Sequence, residues 1–297
     1  MAAPATSVRV SGAWKQTTKQ YVRVAGAWKP VKAAYVRAGG AWKKIYTGTI
    51  VLSNASVVAN YDLFAAAGSP SGPVDLVFTN TGTIYATSTA VAALSVLGFA
   101  SGSTITIVNQ GYIIGMGGPG GAGGTIDSST PGNGGNGGAG GPAISLGVSV
   151  TIDNTSGYIF GGGGGGGGGA SGRYSTNTGY GGGGGGGGRS YQNSAGGALG
   201  AANYGTGRYS GTAGADGTQS SAGTHGNGGN SGTRNGGNGG DGGDYGSAGV
   251  AGDAGSNLTA SGSGGALGAG GNAIALNGYS VTWTGGNDST HVKGAVS

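Results

Sequence analysis

Between residues 115 and 271 the chain is built on glycine, and the glycines keep a register of three. Residues 117–124 read Gly-Gly-Pro-Gly-Gly-Ala-Gly-Gly, residues 134–141 Gly-Gly-Asn-Gly-Gly-Ala-Gly-Gly, and residues 236–243 Gly-Gly-Asn-Gly-Gly-Asp-Gly-Gly. Two unbroken glycine runs occupy 161–169 and 181–188. A period of three fits neither an α-helix nor a β-strand. It fits the extended helix with three residues per turn, which makes no hydrogen bonds within itself.

A lone helix of this kind does not hold. Fixing a backbone costs roughly 1–2 kcal/mol per residue, and more for glycine. A net hydrogen bond returns only about 0.5–1.5 kcal/mol. The region folds only if neighbouring helices share bonds sideways, so that nearly every N–H and C=O has a partner. In a Gly-Gly-x helix two columns are bare and one is decorated. The pure runs are therefore predicted to lie inside a lattice, each about 25–28 Å long. The Gly-Gly-x segments belong at its periphery, with Asn, Ala and Asp facing solvent. The competing reading is a flexible linker; the register, the pure runs and the strands flanking them favour the lattice.

Composition removes several function classes. Glycine supplies 79 of 297 residues, yet Pro totals only 7, which excludes a collagen-like rod. Cys and Glu are absent, leaving nine Asp and two His, His225 and His291. Neither His stands in a motif that activates a nucleophile. The reading is a protein that is not an enzyme and takes no cofactor. Residues 236–241 match the opening of a Ca²⁺-binding nonapeptide, but Gly243 stands where an apolar residue is needed, so no metal site is assigned. Asp241 and Asp244 are read as solvated decorations. The first residues show no secretory pattern, and no apolar stretch reaches the ~18–20 residues of a membrane span. Synthesis in a cytoplasm without membrane insertion is the expectation.

The N-terminal end is basic and repetitive. Val8-Arg9-Val10-Ser11-Gly12-Ala13-Trp14-Lys15 recurs fourteen residues on, and again after fourteen more, giving Arg23 with Trp28 and Arg37 with Trp42. Each copy reads as a β-hairpin with an x-Gly turn. Strand alternation would set Trp and Val on one face and Arg and Lys on the other. Nine of the fourteen cations precede residue 45, where no acid occurs. Such a face suits an acidic protein surface, nucleic acid or anionic polysaccharide, or is simply solvated; the reading taken is attachment through protein, without a nucleic-acid partner.

Residues 1–48 thus form an attachment module and 49–114 a small β-rich domain with one short helix at 60–68. Strands at 74–78 and 83–86 are read as joined through Asn80-Thr81-Gly82, and 104–108 turns at Asn109-Gln110-Gly111 into 112–115 as a hairpin. Similar hairpins recur at 149–160 and 280–293, inside β-islands at 142–160 and 272–297 of the domain 115–297. The fold class expected is mainly β with polyglycine II helices: hairpin repeats, a small β-rich domain and a layered polyglycine II sandwich.

Short non-repetitive segments separate the glycine stretches. They carry Arg173, Tyr174, Tyr180, Arg189, Tyr191, Tyr204, Arg208, Tyr209 and Tyr245. Tyr, Arg, Ser, Asn and Gly are the vocabulary of binding loops. The alternative is that they are ordinary polar turns.

With those residues in view, the chain resembles the glycine-rich tail-fibre or tail-tip adhesins of bacteriophages, in organisation the distal adhesins of T-even-like phages. The shared elements are the leader Gly-Ser-Thr-Ile-Thr-Ile-Val-Asn-Gln-Gly-Tyr-Ile-Ile-Gly at 102–115 and the alternation of glycine motifs with variable segments, over residues 61–271. The resemblance implies a sandwich of polyglycine II helices on a virion, whose distal loops touch an outer-membrane protein or surface glycan of a bacterium. The nine Tyr and Arg residues above would be the receptor contacts. The Trp-Lys repeat departs from that pattern and looks like repeats of other phage tail proteins. Trp14, Trp28, Trp42, Arg9, Arg23 and Arg37 would attach it to other virion proteins, as a homo-oligomer with a trimer among the options. The rival reading is a decoration or tail-closing spike without receptor binding.

Overall fold

The computed structural model describes residues 7–10, 13–16, 20–31 and 33–297. The chain is mainly β, with one four-residue α-helix, Leu63–Ala66, among the described residues.

Each Trp repeat is an antiparallel hairpin: Ser7–Val10 with Ala13–Gln16, Tyr21–Val24 with Ala27–Pro30, and Ala33–Ala38 with Ala41–Thr47. Ala25 and Gly26 both take positive φ, 50° and 83°, as the tight two-residue turn requires. That turn sets Val24 opposite Ala27 and Arg23 opposite Trp28. Opposed residues share a face. The expected separation of Trp from Arg is therefore corrected: the register opposes Arg9, Arg23 and Arg37 to Trp14, Trp28 and Trp42. Trp28 is 67% exposed.

From Ile50 onward the strands wind into a solenoid rather than pairing as hairpins. One five-stranded parallel sheet contains Ile50–Asn54, Asp75–Asn80, Thr104–Asn109, Val150–Asp153 and Val281–Gly285. A second contains Val57–Ala59, Thr83–Tyr85, Tyr112–Ile114, Tyr158–Phe160 and Val292–Lys293. The third side is Tyr61–Asp62, Leu94–Val96, Ile144–Leu146 and Ile274–Ala275, continued by a parallel bridge from Ile274 to Val296. Alternate residues point inward. Leu76, Phe78, Ile84, Leu94, Ile105, Ile107, Ile113, Ile144, Ile152 and Ile159 fill the interior. The short helix covers part of it, with Asp62 as N-cap accepting from the Ala65 N–H at 3.0 Å.

The hairpin reading fails at the corners. Asn54, Asn80, Asn109 and Asn154 are buried and stacked one rung above another. Asn54 Nδ2 donates to Asn80 Oδ1 at 2.9 Å, Asn80 to Asn109 at 2.8 Å, and Asn109 to Asn154 at 2.7 Å. The glycines beyond them stack as closely: a Cβ at Gly82 would lie 2.2 Å from Ser56 O, and one at Gly111 2.0 Å from Gly82 O. Asn-x-Gly here turns the chain onto the next side of the solenoid, and each strand finds its partner in the neighbouring rung. The sheets run on through the expected boundary at 114/115, so residues 49–114 and the islands at 142–160 and 272–297 share one core.

The glycine region is inserted into two rungs, after Ile114 and after Phe160. It leaves the second sheet without a break in bonding: the Gly115 N–H donates to Phe160 O and the Gly161 N–H to Lys293 O, both at 2.8 Å. Extended segments then run back and forth at 115–126, 132–143, 161–171, 181–190, 194–203, 210–218, 221–230, 235–245, 247–256 and 261–273. Their bonds go sideways with a period of three. Gly162, Gly163 and Gly164 donate to Gly141, Arg189 and Ser247, on three different segments; Gly165, Gly166 and Gly167 repeat the sequence with Gly138, Gly186 and Val250. The same segment accepts from 115–126, 235–245 and 261–273 through Gly118, Gly243 and Gly271. The runs 161–169 and 181–188 are buried throughout, as expected of interior members.

At the periphery burial follows the decorated column: Asn133, Asn136 and Ala139 are exposed while the glycines between them are not. These decorations are more than solvated, which corrects the reading of Asp241 and Asp244. Asn133 and Asn136 Oδ1 each accept from an amide of the neighbouring segment, Ser263 and Ala266, at 2.9 Å. Asp241 accepts from the His225 N–H at 2.8 Å. Side-chain carbonyls thus replace the missing neighbour at the lattice edge.

Two outcomes follow. Asn109→Ala orphans buried partners on both sides of the ladder, and should lower unfolding free energy by about 1–3 kcal/mol in denaturant melts, with little change for Gln110→Ala. Gly166→Ala sets a Cβ 1.9 Å from Gly240 O; it should cost at least the about 1–3 kcal/mol typical of overpacking, whereas Ala139→Ser at the exposed column is tolerated in the same melts.

Candidate functional site

Because successive segments alternate in direction, the loops between them alternate between two ends of the lattice. Those at 190–194, 218–221 and 244–247 lie at the solenoid end, where Tyr191 and Tyr245 meet solenoid rings and Gln219 O accepts from Arg189 and Tyr245. Those at 126–132, 172–180, 203–210, 230–235 and 256–261 gather at the far end. This alternation divides the Tyr and Arg residues singled out in the sequence.

Arg189, Tyr191 and Tyr245 belong to the solenoid end. Tyr191 stacks on Tyr85 at 4.6 Å, and Tyr245, only 5% exposed, stacks on Phe160 at 5.0 Å. The Arg189 guanidinium lies 4.4 Å from the Tyr245 ring centre and bonds Asp244 at 2.7 Å, with Lys293 3.8 Å from the same carboxylate. Burial alone would raise the Asp244 carboxyl. Hydrogen bonds from Arg189 and the Tyr245 N–H, with the charges of Arg189 and Lys293, outweigh it and hold the group below its ordinary range. These three residues lock the lattice to the solenoid, and their expected place among exposed contact loops is corrected.

The remaining six stand together at the far end. Gly172–Ser175, Thr178–Tyr180, Gly207–Tyr209 and Ala260–Ser261 form a four-stranded sheet. Its register aligns Ala260, Arg173, Gly179 and Arg208 in one row, and Ser261, Gly172, Tyr180 and Tyr209 in the next. Tyr180 and Tyr209 stack at 5.2 Å, nearly coplanar at 12°. Tyr180 is 1% exposed, because it ends the strand that feeds the interior run at Gly181. It supports the surface and does not belong to it, a second correction. Tyr174 and Tyr209 are exposed at 43% and 36%. Tyr204 is half-buried; a Cβ at Gly179 would meet its carbonyl at 3.1 Å.

Neighbouring loops brace this sheet. Asn203 Nδ2 donates to Asp127 Oδ1 at 2.7 Å, and Asn257 Nδ2 to Thr233 O at 2.7 Å. The hairpin Asn230–Ser231 with Arg234–Asn235 brings the Arg234 guanidinium 3.5 Å from the Tyr174 ring centre. Arg234 was not among the expected residues: no Tyr adjoins it in sequence. Among the described residues no cluster of His, Cys, Asp or Glu could hold a metal ion, and no helix is long and apolar enough to cross a membrane.

A protruding lattice with a braced, Tyr- and Arg-bearing tip is the setting for comparison with known proteins. The sequence profile described as Phage tail fibre adhesin Gp38 matches residues 47–296. The chain belongs to that family. It is a tail-fibre adhesin of a bacteriophage, carried on the virion tail, and its class of activity is receptor binding. No curated protein matches it by sequence. Among solved structures it is similar to the gp37-gp38 adhesin tip complex of the bacteriophage S16 long tail fiber, at 22% identity and a TM-score of 0.49, over 84% of this chain and 83% of that one. The hairpins with Trp14, Trp28 and Trp42 precede the matched residues.

Asp244 gives the junction a pH dependence. A carboxyl held below its ordinary value contributes stability that is present above pH ~4 and is lost as pH falls through its folded value. Near-UV circular dichroism of the tyrosines should therefore change on acidification below that range, and Asp244→Asn should remove this part of the change while costing no more than about 1 kcal/mol at neutral pH.

Proposed function

We propose that this adhesin binds a bacterial surface receptor with the loops at the far end of its glycine lattice. The contact residues are Arg173, Tyr174, Tyr204, Arg208 and Tyr209, with Arg234 added by the structure. The observation that carries the reading is the division of the loops: one set is packed against the solenoid, and the other ends the protrusion with two exposed tyrosines.

The glycine segments act as polyglycine II helices. Their threefold bonding register and their lack of internal bonds support that assignment. Packed sideways, they make a stiff body from a composition otherwise flexible, and so present the loops with little loss of conformational entropy on binding. No catalytic step is part of the proposal. The N-terminal hairpins are the attachment module: in the second, exposed Arg23 stands opposite exposed Trp28, a pairing that offers cation–π and apolar contact together to another tail protein.

Exchanging 172–180 and 203–210 for the equivalent loops of an adhesin with another host should abolish adsorption to the original host, at least tenfold, while particles still assemble. Normal adsorption after both exchanges would leave a spike without receptor binding.

A further inference from the structure

The arginines of the molecule fall into two electrostatic classes. At the solenoid end Arg189 is neutralised by Asp244, which also faces Lys293. At the far end Arg173, Arg208 and Arg234 have no carboxylate within ion-pair reach among the described residues. Asp127, in a neighbouring far-end loop, is occupied as acceptor for Asn203.

Their placement is ordered. Arg173 and Arg208 share a row of the far-end sheet, on one face and two strand spacings apart, about 9–10 Å between backbones. Gly179 stands between them and contributes no side chain. Arg208 is held by its Nε bond to Gly205 O at 2.9 Å, which leaves its terminal nitrogens free to bond elsewhere. Arg173 Nε is buried with no acceptor. The Arg234 guanidinium carbon lies 3.5 Å from the ring centre of the exposed Tyr174, next in sequence to Arg173. Arg234 is thus held on an exposed ring and Arg208 by a backbone carbonyl, and among the described residues none of the three arginines has its charge met by a carboxylate. Uncompensated arginines held by the fold are a recognition device for planar or tetrahedral anions.

Resting on the receptor-binding reading, we infer that the receptor determinant is an anionic glycan, a surface polysaccharide carrying phosphate or carboxylate groups. The guanidinium groups bind the anionic substituents. Tyr174 and Tyr209 offer ring faces to sugars, and the surrounding hydroxyls and amides, among them Ser175, Asn177 and Thr206, suit sugar hydroxyls. These loops are polar apart from their rings: Leu258, the one large aliphatic side chain in them with any exposure, is half-buried.

The test uses the full chain and surface polysaccharide purified from the host strain. One sample is native; a second has been dephosphorylated and carboxyl-reduced. Binding to the native polysaccharide should weaken with rising NaCl and fall at least tenfold on the neutralised one. Arg173→Gln, Arg208→Gln and Arg234→Gln should each lose roughly tenfold affinity with unchanged melting temperature, and Arg208→Lys should fall between. Equal binding to both polysaccharides would overturn the inference. So would host adsorption that survives neutralisation of the glycan but is lost when envelopes are treated with protease, which would identify a protein receptor. If the triple Gln variant adsorbs normally while the loop exchanges abolish adsorption, the anionic assignment fails and the receptor-binding reading stands; if the exchanges also adsorb normally, both fail.

Discussion

The structure depends on hydrogen bonds that leave one extended segment and end on the next. Within a segment no amide meets a carbonyl of its own turn, so each segment is stable only in company. At 161–169 three successive amides serve three neighbours, and three further neighbours donate back. Such closeness requires glycine for a steric reason: a Cβ at Gly163, Gly166 or Gly169 would fall within about 2 Å of a carbonyl oxygen on the adjacent segment. Composition here reflects the spacing of backbones. Where the lattice ends, Asn and Asp carbonyls stand in for the absent segment.

A lattice of mutually dependent segments needs a template, and the solenoid supplies one. Its second sheet already holds parallel backbones at about 4.8 Å, and two of its strands run directly into glycine segments at Gly115 and Gly161. The asparagine ladder fixes the rungs from which those strands start. Stiffness then passes from a conventional apolar core to a region that has no core. Alternating direction sorts the loops, so those that lock and those that are presented differ only by the parity of the segment they follow.

The register of the glycines was legible because it is a local period, and it placed the runs at 161–169 and 181–188 inside. The solenoid was not. Asn80-Thr81-Gly82 and Asn109-Gln110-Gly111 carry the same signal as a hairpin turn, and only the long-range recurrence of Asn distinguishes a corner from a hairpin. That recurrence is 26 residues from Asn54 to Asn80 and 29 from Asn80 to Asn109, but the glycine insertion stretches the next to 45 and hides it. The site shows the same limit. Tyr with Arg marks the loops at 172–180 and 203–210, yet it marks 189–194 equally well. Which end a loop occupies depends on counting segments, and so Tyr245 and Arg189 look like contacts until the fold buries one and neutralises the other. Arg234 meets Tyr174 from a loop sixty residues away, a juxtaposition with no local sign.

The central claim is that glycine backbones bonded laterally form a cooperative solid. Hydrogen–deuterium exchange of the full-length protein tests it directly at the amides of 161–169 and 181–188. The account predicts that these amides exchange only through global unfolding, as slowly as those of the buried solenoid strands. Exchange at the rate of an unstructured chain across both runs would contradict it.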